Sequence, residues 1–351
     1  MKTLDLDYEL PEALIAAQPA ERRDGARLLV VDGDELRDST IDELATLIPE
    51  RALLVVNDTR VRRARVFGAR RGSGGRIEVL FVRRLSPAAD GRERWEAIGR
   101  SSKPLRPGTV IDWDEVSIEV LDKSADATLL VAVATGGEDF ESILEQRGHL
   151  PLPPYMRRSD ELADLTRYQT VYARRTASAA APTAGLHLTP ALFERLSERR
   201  VEVARLELEI GLGTFRPVTA PDLDDHPMHA ETLDVGEALV EAVAAARERG
   251  APVVAVGTTV VRALESAADP FHPGQISVKR GETRLLIQPG HRFRVVDALL
   301  TNFHVPRSTL LALVSAFAGH EIVMAAYRHA VAARYRFLSY GDAMWIPTRR
   351  A

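Results

Sequence analysis

The sequence predicts an α/β main domain interrupted by a small β-barrel, and three observations carry that reading. Strand-then-helix patterns fill the chain before residue 61 and again after residue 150. Between them, short alternating apolar runs recur between Gly- and Pro-containing turns with almost no helical period. Leu150-Pro151-Leu152-Pro153-Pro154 then forms a stiff extended connector. The expected organisation is a discontinuous α/β domain over 1–60 and 151–351, with a β-barrel inserted over 61–150; 351 residues suffice for both cores.

In chain order, Tyr8 to Ala17 reads as a strand end and a short helix with Pro11 at its start, and Arg27 to Asp32 as a buried strand. Thr40-x-x-Glu43 is a capping box opening a helix with Leu44, Leu47 and Ile48 on one face. Leu53 to Val56 is a second buried strand, delivering Asn57-Asp58-Thr59-Arg60 into a turn. The all-β stretch alternates at Ile77/Val79/Phe81, Trp95/Ala97, Val116/Ile118/Val120 and Leu129/Val131/Val133. Glu138 to Arg147 is a helix closed by Gly148. Beyond the connector, Tyr168 to Pro190 is so poor in large apolar residues that it reads as a loop adding little to a core. Thr189 and Pro190 start a helix as N-cap and first-turn proline. Val201 to Ile210 is a strand, Asp234 caps a helix ending at Gly250, and Pro252 to Val256 leads through Gly257-Thr258-Thr259 into the helix Val260 to Ala268. Val295 to Leu300 leads through Thr301 to Arg307 into a helix over Thr309 to Ala318, capped by Ser308.

Composition narrows the functional classes. The longest apolar run, Leu310 to Ala318, is far too short to span a bilayer, and the N-terminus has no apolar signal segment. Without cysteine there is no thiolate nucleophile, Cys-ligated zinc or iron–sulfur cluster, which removes radical-SAM chemistry and zinc deaminases. A cytoplasmic monomer with no membrane partner is expected. Net charge is −4, yet nine arginines against one glutamate lie between Arg60 and Arg84, and a second cluster holds Arg157, Arg158, Arg167, Arg174 and Arg175. Either cluster alone is a solvated strand face; the two together balance that reading against a phosphate-backbone footprint.

Ligands in α/β sheets bind beyond the carboxyl ends of the strands. Three strand–loop–helix corners carry polar, flexible loops: Thr183 to His187, Gly257 to Thr259 and Thr301 to Arg307. Each ends at a helix N-terminus suited to a carboxylate or phosphate, and Asn57 to Arg60 forms a fourth wall. His226-x-x-His229 with Glu231 has loose metal-ligand spacing, but Pro227 prevents one helix from carrying both histidines, so no metal is expected there. Those groups read better as hydrogen-bonding or acid–base groups lining a cleft. Gly211-Leu212-Gly213 after a strand is like the first loop of a Rossmann methyltransferase, but Pro217 and Val218 argue for extended chain where that fold needs a helix.

At these residues the chain closely resembles the S-adenosylmethionine:tRNA ribosyltransferase-isomerases of queuosine biosynthesis. The matches run in order from DYELPEALIAAQPAERRDGARLLV (7–30) through VVNDTRV (55–61), GHLPLPPYMRR (148–158), RYQTVYA and APTAGLHLT (167–189), and LEIGLGTFRPV (208–218). They continue with HPMHAE (226–231), VAVGTTVVRALE (254–265), TNFHVPRSTLLALVSAFAG (301–319) and YRFLSYGDAM (335–344). The resemblance implies S-adenosyl-L-methionine (SAM) as co-substrate and a tRNA carrying 7-aminomethyl-7-deazaguanine (preQ1) at the wobble position as partner. The ribosyl group would be transferred and isomerised onto the aminomethyl nitrogen, giving epoxyqueuosine and releasing adenine and methionine. A sulfonium acidifies the adjacent C5′–H, so a positioned base with a pKa near 7 is needed; His187, His304 and Glu231 are the candidates.

For SAM the candidate residues are Asp58, Thr183, Gly185, Glu209, Gly211, Gly213, Gly257, Thr258, Thr259 and Asn302. Within that set the helix-start loops at Gly257 and Thr301 suit the methionine carboxylate, and Asp58 or Glu209 its ammonium group. For the RNA they are Arg60, Arg174, Arg262 and Arg307 toward phosphates, Tyr168 and Tyr172 for stacking, and Gln169. The sequence departs from the family pattern at Leu188, Val260 and Trp345, in the turn Arg100 to Pro104 and over Thr283 to Gln288, which leaves the central loops intact but bears on which RNA or base is recognised. Two alternatives stand beside this one: a SAM-dependent tRNA methyltransferase, and a non-catalytic tRNA-binding protein using the arginine-rich barrel.

Overall fold

Runs of Val, Leu and Ala without polar alternation mark strands covered on both faces. Leu53–Asn57, Val253–Val256 and Ala298–Asn302 are such runs, and in the computed structural model they lie side by side, parallel, at the centre of a nine-stranded mixed sheet. The structure describes residues 1–350 apart from 89, 125–126 and 212–217. Glu202–Leu208 extends the parallel centre on one side, followed by antiparallel Glu231–Val235 and Lys279–Thr283. On the other side come Ala343–Ile346, antiparallel to its neighbour, then Arg27–Asp32 and Glu35–Thr40. Alternate residues feed two cores: Leu53, Val55 and Val253 pack with the helices Glu237–Glu248, Thr258–Ala267 and Thr309–Ala318, whereas Leu54, Val56 and Val254 pack with Leu44–Leu47 and Pro190–Glu198.

Six antiparallel strands, Arg65–Arg70, Arg76–Leu85, Glu93–Ser101, Val110–Trp113, Val116–Lys123 and Leu129–Ala134, close into the expected barrel, which leaves none of the six an unpaired edge. The alternating residues read from the sequence, from Ile77/Val79/Phe81 to Leu129/Val131/Val133, are its interior. The helix Phe140–Arg147 adds Phe140, whose ring meets Phe81 at 4.7 Å and Trp95 at 5.7 Å, edge to face. Entry and exit segments are tied together by hydrogen bonds between Arg65 and His149. Gly148 has φ −72°, so it is no left-handed cap; a Cβ there would stand 2.1 Å from the Arg63 carbonyl oxygen, and glycine is required by that close approach.

Several local expectations change. Tyr8 to Ala17 holds only a three-residue 3-10 turn, Glu12–Leu14. Thr40 makes no capping bond; Ile41–Glu43 is a 3-10 turn, and Glu43 accepts from Ser39 Oγ at 2.7 Å instead. Asp234 lies inside Glu231–Val235, and Gly236 is the N-cap of the next helix. Thr189 and Ser308 do cap their helices, accepting from Leu192 N and Leu311 N at 3.2 Å. The stretch after Tyr168 is not marginal to the core: Ala179, Ala180, Ala181 and Ala184 are buried, because small side chains let this segment pack closely. Among the described residues no single helix is long and apolar enough to cross a membrane, and the apolar helix Thr309–Ala318 bends by 115° into His320–Ala332.

Candidate functional site

The parallel strands deliver Asn57–Asp58, Glu209, Gly257 and Asn302 to the same end of the sheet, where the rule for α/β folds places a ligand. There Thr183, Gly257, Thr258, Thr259, Asn302 and His304 meet around a small cavity of about 80 Å³. Gly257 has φ 93°, a conformation that favours glycine, and it starts the helix Thr258–Ala267. Gly257 O accepts from both Val260 N and Val261 N, leaving the first N–H groups of the helix directed at its N-terminal end. Thr259 is 8% exposed, and its Oγ1 has no hydrogen-bond partner among the described residues. A buried unpaired hydroxyl beside a positive helix end is chemically suited to a carboxylate.

The histidines are held in different ways. His187 Nε2 accepts from Asn302 Nδ2 at 3.2 Å, while Asn302 Oδ1 accepts from Thr183 Oγ1 at 2.9 Å. Burial pushes His187 down to about 4, so it is neutral; it faces a crevice with Arg23 and Tyr340 on the far side of Asn302 rather than the cavity. His304 does line the cavity, with Nε2 2.9 Å from Thr301 Oγ1. Its main chain is fixed by Tyr8, whose hydroxyl donates to the carbonyl, and by Tyr327 Oη, which accepts from its N–H at 2.9 Å. Burial pushes His304 down to about 3.

A larger cleft of about 670 Å³ opens between the barrel and the sheet edge. Glu209, Gly211, His229 and Glu231 line it from the sheet side, Glu96 and Asp122 from the barrel, and Ile210 is shared with the small cavity. Glu231 is buried in an ion pair with Arg262, whose Nε also donates to the Leu285 carbonyl at 3.1 Å. That pair ties the helix Thr258–Ala267 to Glu231–Val235, so Arg262 is committed inside the protein and unavailable to RNA phosphates. Burial raises the carboxyls of Glu209, Asp58 and Glu207, and Glu207 is raised further by Glu209 and Asp58 beside it. Glu207, two residues before Glu209 on the strand and 3.5 Å from Arg175, is an acidic neighbour that the sequence candidates did not include. Gly213 lies outside the described residues. The strand that follows the glycine motif runs antiparallel to Glu202–Leu208, which is not the parallel return of a Rossmann unit.

Several residues expected to touch RNA serve the fold instead. Tyr168 is fully buried against Tyr340, ring centroids 5.7 Å apart, and has no free face for a base. Gln169 exchanges two hydrogen bonds with the Val61 backbone, at 2.9 and 2.8 Å. Tyr172 packs on Phe193, and its hydroxyl occupies the space a Cβ on Gly185 would need, so that glycine answers to Tyr172 rather than to a ligand. Arg60 pairs with Glu145 at 3.0 Å and Arg307 with Asp7 at 3.2 Å, while Arg174 is largely exposed 3.9 Å from Asp58. Most of the Arg60–Arg84 cluster is likewise spent on Glu141, Glu78, Asp112, Glu96 and Glu93.

Residues 3–346 match the family model described as queuosine biosynthesis protein. The S-adenosylmethionine:tRNA ribosyltransferase-isomerase of Sorangium cellulosum is 54% identical, covering 97% of both chains. The enzyme of that name from Geobacter metallireducens is 50% identical over 99% of this chain and 100% of its own. The crystal structure of S-adenosylmethionine tRNA ribosyltransferase from Thermotoga maritima is similar at 34% identity and a TM-score of 0.54, covering 97% of this chain and 99% of that one.

Proposed function

Because the chain belongs to the queuosine biosynthesis family of S-adenosylmethionine:tRNA ribosyltransferase-isomerases, we propose that it transfers and isomerises the ribosyl group of SAM onto preQ1 in tRNA, releasing adenine and methionine. The observation that carries the reading is the pairing of a small anion-seeking cavity with an acidic cleft through the shared Ile210. SAM has a carboxylate at one end and an ammonium and a sulfonium nearby. The helix start at Thr258–Thr259 suits the carboxylate, and Asp58 and Glu207 suit the cationic groups. A cavity of about 80 Å³ holds only a few waters, so the nucleoside belongs in the cleft, where the aminomethyl base also arrives. His187 and Thr183 orient Asn302, His304 lines the carboxylate end, and Glu209 takes the C5′ proton.

In this reading 61–150 is the inserted unit and 1–60 with 151–351 the discontinuous domain; the enzyme is a cytoplasmic monomer, which light scattering and fractionation check. The deciding experiment incubates the protein with SAM and tRNA bearing preQ1. Free adenine, methionine and an epoxycyclopentyl mass increment on the tRNA are expected. Methylated tRNA with S-adenosylhomocysteine, or binding without SAM consumption, would overturn it.

A further inference from the structure

Two clefts of similar size flank the barrel strand Glu93–Ser101, and they carry opposite charge. The one described above, about 670 Å³, is lined by two arginines and five carboxylates among the described residues. The other, about 650 Å³, is lined by five arginines and two carboxylates, and Ile98 lines both. Its floor is the outer face of three barrel strands. In Arg76–Leu85 the odd residues Ile77, Val79 and Phe81 point into the barrel, so Arg76, Glu78 and Leu80 point out. Arg100 stands opposite Glu78 on the next strand. The wall is the connector Pro151 to Asp160, whose prolines keep it extended.

Three of the five arginines are partly neutralised: Arg65 by Glu78 at 3.2 Å, Arg158 by Asp164 at 2.6 Å, and Arg157 by Glu12. Arg76 and Arg100 have no carboxylate within ion-pair distance among the described residues, and both are exposed. Arg76 is also stacked over the Phe67 ring at 4.7 Å, which holds its guanidinium over the groove. Free, pre-positioned arginines in an extended groove match a polyanion, and a groove that meets an acidic cleft along one strand separates a polyanion from a cationic reactant.

We propose that this groove, centred on Arg76 and Arg100, is the docking surface for the sugar–phosphate backbone of the tRNA substrate, seating it so that its modified base reaches the acidic cleft on the other side of Ile98. The proposal rests on the tRNA reading above. The test measures binding of preQ1-bearing tRNA over a salt series for the unmodified protein, the pair Arg76→Gln/Arg100→Gln, and a control pair, Arg292→Gln/Arg294→Gln, that removes equal charge from an exposed loop elsewhere. The groove pair should weaken binding about tenfold near 0.1 M salt and flatten the log–log salt slope by about 1.4–1.8, since each phosphate contact contributes a slope of about 0.7–0.9. SAM affinity and kcat at saturating tRNA should hold, and Arg76→Lys/Arg100→Lys should restore most of the affinity because a point charge suffices. Unchanged tRNA affinity and slope in the glutamine pair, or an equal loss in the control pair, would overturn the groove. Adenine release by the unmodified protein is scored separately, so failure of the reaction and failure of the groove are told apart.

Discussion

Replacing Thr259 by valine should weaken SAM binding while leaving the free protein as stable as before or more so. Thr259 is 8% exposed, and its Oγ1 finds no partner among the described residues. An unpaired buried hydroxyl costs about 1–3 kcal/mol, and valine removes it with little change of shape, so the thermal midpoint of the free protein should hold or rise. In the proposed complex the same hydroxyl would donate to the SAM carboxylate. A hydrogen bond to a charged group contributes about 1.5–3 kcal/mol, and at 1.4 kcal/mol per decade its loss weakens SAM binding about 10- to 150-fold. Titration calorimetry with SAM and with its decarboxylated analogue separates this from general damage. The unmodified protein should prefer SAM, Thr259→Val should show a clearly smaller preference, and Thr259→Ser should recover much of it. Unaltered SAM affinity in Thr259→Val, or an equal loss for the analogue, would refute the carboxylate assignment.

Two further outcomes follow from packing and burial. Gly185→Ala places a Cβ 2.0 Å from Tyr172 Oη and 3.0 Å from Thr170 Cγ2, an overpacking that should cost about 1–3 kcal/mol in urea denaturation; Tyr172→Phe removes the colliding oxygen and should recover part of it, whereas additive costs would count against this contact. His187 and His304 are held at about 4 and about 3, below the ordinary 6.5, so both stay neutral in the fold while the unfolded chain takes up protons below pH 6.5. Their contribution is complete above that pH and is lost as pH falls toward the folded values, at about 1.4 kcal/mol per pH unit for each histidine. Urea midpoints between pH 7 and 5 should show that slope, and His304→Gln should flatten it; an equally steep profile in the variant would contradict the assignment.

The barrel was legible because antiparallel strands with one covered face must alternate, and Ile77/Val79/Phe81 or Leu129/Val131/Val133 have no other reading. The central strands were legible for the opposite reason, being apolar throughout. The sheet edges were not: Lys279–Thr283 and Glu35–Thr40 are polar, and only pairing with a distant partner makes them strands. The loops of the site were found from their glycines and helix caps, but the duties of the side chains were not. Gln169, Tyr172 and Arg262 carry groups that suit RNA equally well, and a local sequence does not reveal that Val61, Phe193 and Glu231 already engage them. A glycine is similarly ambiguous: Gly257 is explained by its own φ of 93°, Gly185 only by a tyrosine hydroxyl thirteen residues earlier in the chain.

The choice of base follows from three requirements: reach into the cleft, a free lone pair, and a pKa near the working pH. His187 fails the first two, since Asn302 lies between it and the cavity and donates to its Nε2. Glu231 fails the second, because Arg262 holds its carboxylate. His304 reaches the small cavity, but with a pKa of about 3 it is a far weaker base than an ordinary imidazole. Glu209 lines the cleft next to Ile210, forms no ion pair among the described residues, and has its carboxyl raised by burial, with Arg62 and Arg175 only partly opposing that. Glu209→Gln should therefore keep SAM affinity within about threefold yet lower adenine release by about 10²–10⁴, the usual contribution of a general base. Tritium placed at C5′ of SAM should also stop exchanging into solvent in the presence of tRNA. Should affinity collapse while that exchange continues, Glu209 is the counter-ion of the SAM ammonium group and the proton goes to another residue.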